Sequence, residues 1–263
     1  MRKIKIRLIS AAVAGLLLGA GACHSPTAPG ADGMSGLWLL PFGGGTVASL
    51  TQSGGAVSGF AHVIDSPVTC WDQYDRLDVR GSIGKDNSVR LTFGGTFPVE
   101  MTGVLSPDGT VLNNVHSISR SCAPGGYPWE ETAATPGTRI GSISGTYEFR
   151  FEVDGAVRSF TATLSHPMTI GPAGEIPVTV SGSLGSGWPC APRAVSSRDF
   201  YIMGYRLQGM LLIDAGSELM FVEVKPASSQ WNEFQGTFSG SWNPQARECV
   251  EGFDNGSVTL TKR

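Results

Sequence analysis

Between residues 144 and 153 the chain reads SGTYEFRFEV, with an apolar side chain at every second position. Tyr147, Phe149, Phe151 and Val153 alternate with Glu148, Arg150 and Glu152. A period of two places one set of side chains on each face of an extended strand, so one face is dry and the other wet. Val89, Leu91 and Phe93 do the same against Ser88, Arg90 and Thr92, and Phe234, Phe238 and Trp242 share a face with Gly236 and Gly240. Helical periodicity is scarce. With 36 glycines and many short alternating runs, the composition points to an all-β chain.

Turn signals separate the runs. Ser53-Gly54-Gly55, Lys85-Asp86-Asn87, Pro107-Asp108-Gly109, Asp154-Gly155, Ala215-Gly216 and Asp254-Asn255-Gly256 are rich in residues that tolerate the positive φ of tight hairpins. Short turns join neighbouring antiparallel strands, so a meander is the simplest topology. The runs fall into two copies of one plan. Ser35-Gly36-Leu37-Trp38 opens the first copy and Ser144-Gly145-Thr146-Tyr147 the second. Each copy reaches a long loop with a cysteine after its third strand, Cys70-Trp71 or Trp188-Pro189-Cys190, and a second such loop with Cys122 or Cys249.

Eight strands are expected per copy, near 37–42, 46–52, 56–63, 77–83, 88–93, 97–105, 110–116 and 127–133, then 144–153, 156–165, 176–183, 199–206, 208–214, 218–225, 232–241 and 256–262. A meander of that length removes its exposed edges by closing on itself. The expected architecture is therefore two tandem up-and-down β-barrels, over 35–135 and 143–263, with a boundary near Thr135-Pro136-Gly137. A pair of β-sandwiches is the alternative.

In such a barrel the loops after strands three and seven emerge at the same end. The repeat therefore favours disulfides Cys70–Cys122 and Cys190–Cys249, closing intervals of 52 and 59 residues. Each would stabilise by about 4 kcal/mol in the chain-entropy account. Zinc on His62, Cys70, His116 and Cys122 is disfavoured, because the spacings are not compact pairs and the second copy has no matching histidines. Asp65, Asp72, Asp75 and Asp78 lack the dense spacing of a calcium loop and read as a solvated loop and strand edge. No metal or cofactor is expected.

The N-terminus is a different kind of segment. Arg2, Lys3, Lys5 and Arg7 precede an apolar run from Leu8 to Ala22, the layout of an export signal over residues 1–22. That run of 15 residues is shorter than the roughly 20 a spanning helix needs. Ala20-Gly21-Ala22-Cys23 resembles the lipobox of bacterial lipoproteins, with Ala20 where that family prefers leucine. The resemblance implies a lipid on Cys23, with residues 23–34 as lipidated cysteine and flexible tether; ordinary secretion with cleavage after Ala22 is the alternative. Setting Cys23 aside also leaves an even number of cysteines for pairing. Without residues 1–22 the chain carries 15 Lys+Arg against 22 Asp+Glu, a formal charge of −7. An acidic chain with no basic stripe is a poor partner for nucleic acid. The expected location is the bacterial cell envelope, outer membrane or cell surface, held by acyl chains.

Gly36-Leu37-Trp38 resembles the G-x-W that begins the first strand of lipocalins. With Leu50 to Gly55 and Val57-Ser58-Gly59 following, the pattern is similar to lipocalin- and avidin-type (calycin) barrels. The second copy has Tyr147 in place of the tryptophan. In those families the tryptophan plugs the closed end and the open end admits a small ligand, so the resemblance implies ligand binding.

No G-x-S-x-G elbow, phosphate loop, H-E-x-x-H helix or dinucleotide fingerprint is present. Trp71, Tyr127, Trp129, Trp188 and Trp231 are expected near loop or strand ends, where aromatic groups either grip a ligand or cover the barrel ends. Phe149, Phe151, Phe234 and Phe238 read as core. These observations lead to the expectation of a non-catalytic binding module, for a small apolar or aromatic ligand or an envelope partner. A structural or surface-interaction lipoprotein with solid barrels is the alternative, and an envelope hydrolase ranks third.

Overall fold

A computed structural model describes residues 33–42, 45–64, 71, 75–122, 128–188, 191–214, 218–242 and 255–263. Among these there are only strands, turns and loops, arranged as two closed antiparallel barrels in tandem. Cys23, Cys70, Tyr127, Cys190 and Cys249, with Asp65 and Asp72, lie outside the described residues.

The first barrel runs β1 (Gly36–Leu40), β2 (Thr46–Ser53), β3 (Ala56–Val63), β4 (Arg76–Ile83), β5 (Ser88–Phe93), β6 (Val99–Leu105) and β7 (Val111–Ser119) as a meander. Its eighth stave is broken in two. β8 (Trp129–Thr132) lies along His116–Ser119 of β7, and β9 (Gly137–Ile140) lies along Val111–Leu112. β9 then pairs with β1, Trp38 opposite Arg139, and closes the ring. The turn signal at Thr135-Pro136-Gly137 thus interrupts the last stave, and the chain stays in the first sheet as far as Ile140. Proline removes one ladder donor and restricts its neighbour, which is sufficient to break a strand without ending the sheet.

The second barrel uses β10 (Gly145–Val153), β11 (Ala156–Ser165), β12 (Ile176–Pro177), β13 (Thr179–Leu184), β14 (Ala194–Met203), β15 (Arg206–Ile213), β16 (Glu218–Pro226), β17 (Glu233–Trp242) and β18 (Asn255–Lys262). β18 pairs with β10 and closes it, with Tyr147 opposite Lys262. Here the third stave is split, since β12 and β13 both lie along β14. β14 begins earlier than its alternation suggests, because a bulge between Arg198 and Tyr201 changes the phase of the side chains.

Both openings show the same device. Gly36 (φ +123°) and Gly145 (φ +145°) hold backbone conformations that suit glycine. A Cβ would also lie 3.0 Å from Arg139 Nε at Gly36, and 2.7 Å from Lys262 Cε at Gly145. In each barrel a basic residue of the closing strand thus lies over the first glycine.

Alternation along β5 and β6 is regular, with Val89, Leu91, Phe93, Val99, Met101 and Leu105 inward. β1 departs from it. Trp38 and Leu40 belong to the core of the first barrel, while Leu37 and Leu39 on the outer face are buried with Val47, Ile64 and Ile140 in the apolar cluster of the second. A strand buried on both faces reads as a continuous apolar run, which is why GLWLL shows no alternation. The loop before β12 rests on the first barrel, where a Cβ on Gly174 would meet Ile64 Cδ1 at 2.6 Å and His62 Cβ at 2.7 Å.

Candidate functional site

In an antiparallel meander, loops alternate between the two ends. The segments after β3 and β7 therefore share one end of the first barrel, and those after β13 and β17 share one end of the second. At that end of the first barrel Trp71 meets Trp129 edge-on at 5.2 Å and Phe42 at 5.4 Å, and Phe42 meets Phe93 at 5.1 Å. The Trp71 indole N–H donates to the Phe97 carbonyl at 3.0 Å. Trp71 is buried and Trp129 half-buried. Cys122 is fully buried in the same cluster.

The corresponding end of the second barrel is packed alike. Trp188 is buried edge-on against Phe151 (5.8 Å) and Phe160 (6.2 Å), and its indole N–H donates to the Ser159 carbonyl at 3.0 Å. Arg158 lies over its ring at 5.6 Å. Phe149, Phe151, Phe234 and Phe238 are core, as their alternation implies.

Trp231 is not with them. It sits at the opposite end, in the turn between β16 and β17, and adopts φ +54° with its ring fully buried edge-on against Phe234 at 6.0 Å. Its carbonyl accepts from the Tyr147 hydroxyl at 3.4 Å. Burial pushes that hydroxyl's pKa up to about 12. The equivalent end of the first barrel is plugged by Trp38, whose indole N–H donates to the Met34 carbonyl at 3.0 Å. The expected aromatic set therefore divides between opposite ends, and each described member packs against protein.

Of the other candidates, His62 is buried against Phe60 at 5.9 Å, and His116 pairs with Glu130 at 2.7 Å on the outer surface. No three potential metal ligands cluster among the described residues. His166 stands where the barrels join. Its Nε2 accepts from the Ile143 amide at 3.1 Å, which places the proton of the neutral ring on Nδ1. Desolvation, helped by the charge of Lys262, holds its pKa below the ordinary 6.5, although Pro167 opposes this.

One concavity that sequence reading missed lies in the wall of the second barrel. A cleft of about 620 Å³ is lined by Ala173, Glu175, Pro177, Val178, Thr179, Ser197, Asp199, Phe200, Tyr201 and Met203. It forms where the β-ladder is interrupted. β12 and β13 break at Val178, while opposite them β14 bulges through Asp199 (φ +49°). Ladder bonds are replaced there by Val178 N–H to the Phe200 carbonyl at 2.7 Å and Val180 N–H to Ser197 Oγ at 2.8 Å. Gly209 lets β15 pass the bulge, since a Cβ would lie 2.4 Å from the Asp199 carbonyl oxygen. The Glu175 carboxylate accepts from the Ala173 amide at 2.8 Å, and the Tyr201 hydroxyl accepts from Gln208 Nε2 at 3.0 Å. The signal in the sequence was the loss of alternation through Ser197-Arg198-Asp199-Phe200-Tyr201, a mark of bulges.

Among the described residues the cleft offers two carboxylates, three hydroxyls and several apolar side chains, with no lysine, arginine or histidine in its lining. Comparisons with protein-family models, with curated proteins and with solved structures find no match.

Proposed function

We propose that this chain is a non-catalytic binding lipoprotein of the bacterial envelope, with two calycin-like barrels, and that a small ligand docks in the wall cleft of the second. The observation that carries the reading is the cleft itself. Its volume of about 620 Å³ falls in the range typical of small-molecule sites, roughly 300–1,000 Å³. Trp71 and Trp188 support a covering role, because their rings and indole N–H groups are already engaged with protein. In this reading Cys23 carries the lipid, and the pairs Cys70–Cys122 and Cys190–Cys249 clip the long loops across each mouth.

A fragment screen of the purified protein by amide NMR tests the site. Binders should move the resonances of Asp199 to Met203, and a Thr179→Trp variant, which fills the cleft from an exposed lining position, should lose those shifts. Perturbations confined to other surfaces would refute the site. Cys23→Ser should release the protein from the membrane fraction, and unchanged partitioning would count against the anchor. Mass mapping of the unreduced protein should find one bridge within each half.

The second reading, a surface-interaction protein with solid barrels, draws on the aromatic packing at both ends of each barrel. It also draws on the outward Val104, Val157, Met168 and Phe221, each more than two-fifths exposed.

A further inference from the structure

The cleft has a charge character that narrows its ligand. Among the described residues, Glu175 and Asp199 are the only charged groups in its lining, and both are acidic. None of the arginines nearest in sequence is in the described lining of the cleft. Arg198 reaches the Met210 sulfur at 3.8 Å, Arg206 pairs with Glu223 at 3.1 Å, and Arg193 pairs with Asp214 at 3.3 Å. The Asp199 carboxylate has no hydrogen-bond or ion-pair partner among the described residues. Its left-handed backbone at the crest of the bulge fixes where its carboxylate departs from the wall. A concave wall lined by one sign of charge raises the local concentration of the opposite sign. Beside the carboxylates lie Tyr201, Pro177, Ala173 and Met203, apolar or aromatic surface that only a ligand with a hydrocarbon body would cover.

We propose that this cleft selects a small organic cation with an apolar body, its ammonium meeting Glu175 and Asp199 and its body lying against Tyr201 and Met203. This rests on the reading of the cleft as the binding site. Anions are repelled by the same pair of carboxylates. Neutral analogues keep the apolar contact and lose the charge pairing.

Three probes of like shape separate the contributions: 2-phenylethylamine, 2-phenylethanol and phenylacetate, titrated into the full chain and followed by amide NMR at low ionic strength. The amine should bind most tightly and the alcohol more weakly by about fivefold per carboxylate, the upper limit for a partly exposed pair. Phenylacetate should be weakest. Glu175→Gln keeps an acceptor for the Ala173 amide, and Asp199→Asn keeps a residue that tolerates positive φ, so both variants should fold. Each should weaken the amine more than the alcohol, so that the amine's advantage shrinks, and added salt should erode that advantage too. Equal binding of amine and alcohol at the cleft would overturn the charge selectivity while leaving the binding site standing. Failure of all three probes to move Asp199 to Met203 would remove both. Calcium chloride alone reproducing the amine's shifts would also overturn the proposal, by showing an inorganic cation site.

Discussion

Replacing Trp38 with alanine separates the tryptophan plug of the first barrel from the rest of its core. The side chain is fully buried, and its indole N–H holds the carbonyl of Met34, itself fully buried. Truncating a buried Trp costs about 3–5 kcal/mol through lost transfer energy and the cavity left behind. Leaving a buried carbonyl without its donor adds about 1 kcal/mol. Domains of this size are stable by roughly 5–15 kcal/mol, so Trp38→Ala should remove a large part of the first barrel's stability. Tyr147→Phe, at the same place in the second barrel, removes only a hydroxyl whose hydrogen bond to the Trp231 carbonyl is 3.4 Å long. It should cost about 1 kcal/mol or less. Urea unfolding followed by far-ultraviolet circular dichroism measures both. Trp38→Ala should lower the midpoint strongly, or split the transition as the first barrel melts ahead of the second. A loss below about 1.5 kcal/mol, or a Tyr147→Phe loss equal to that of Trp38→Ala, would refute the account of the plug.

Gly236 in β17 faces β16 so closely that a Cβ would lie 2.0 Å from the Glu223 carbonyl oxygen. Gly236→Ala should destabilise the second barrel by several kcal/mol, whereas Gly155→Ala, where a Cβ meets nothing within 4 Å, should show only the smaller strain of its positive φ (+81°). Equal melting temperatures for the two variants would count against the close approach. His166 gives a pH dependence. Above about pH 6.5 it is neutral whether folded or unfolded and contributes no slope. Below that, the unfolded chain takes up a proton that the folded site resists, so stability should fall with acidification until the folded pKa is reached. Comparing the urea midpoint at pH 7 and pH 5 with that of His166→Gln tests this, and a wild type that gains stability relative to the variant on acidification would overturn it.

Period-two alternation and glycine-rich turns make most strands legible in the sequence, because each strand with one wet face writes its own pattern. β5, β11 and β16 fall within a residue of where the alternation ends. The last stave of the first barrel was legible only in part. Pro136 reads as punctuation, and nothing local shows that Gly137–Ile140 returns to pair with both β7 and β1. The tryptophans read as end residues, but their local sequence does not say which end. Trp188 and Trp231 both sit in loops between strands, and only counting staves around the closed ring sends them to opposite mouths.

Taken alone, the sequence determined a duplicated all-β chain, since alternation and turn chemistry are local properties carried by neighbouring residues. Tertiary structure decided the rest. Leu37 and Leu39 became a seam between barrels because another surface covers the outer face of β1. Glu175 and Asp199 became the two charges of one cleft because a bulge and a broken stave bring residues 24 positions apart to the same gap in the wall. Such gaps are made by the mismatch of two strands, and no single strand's sequence records its partner's register.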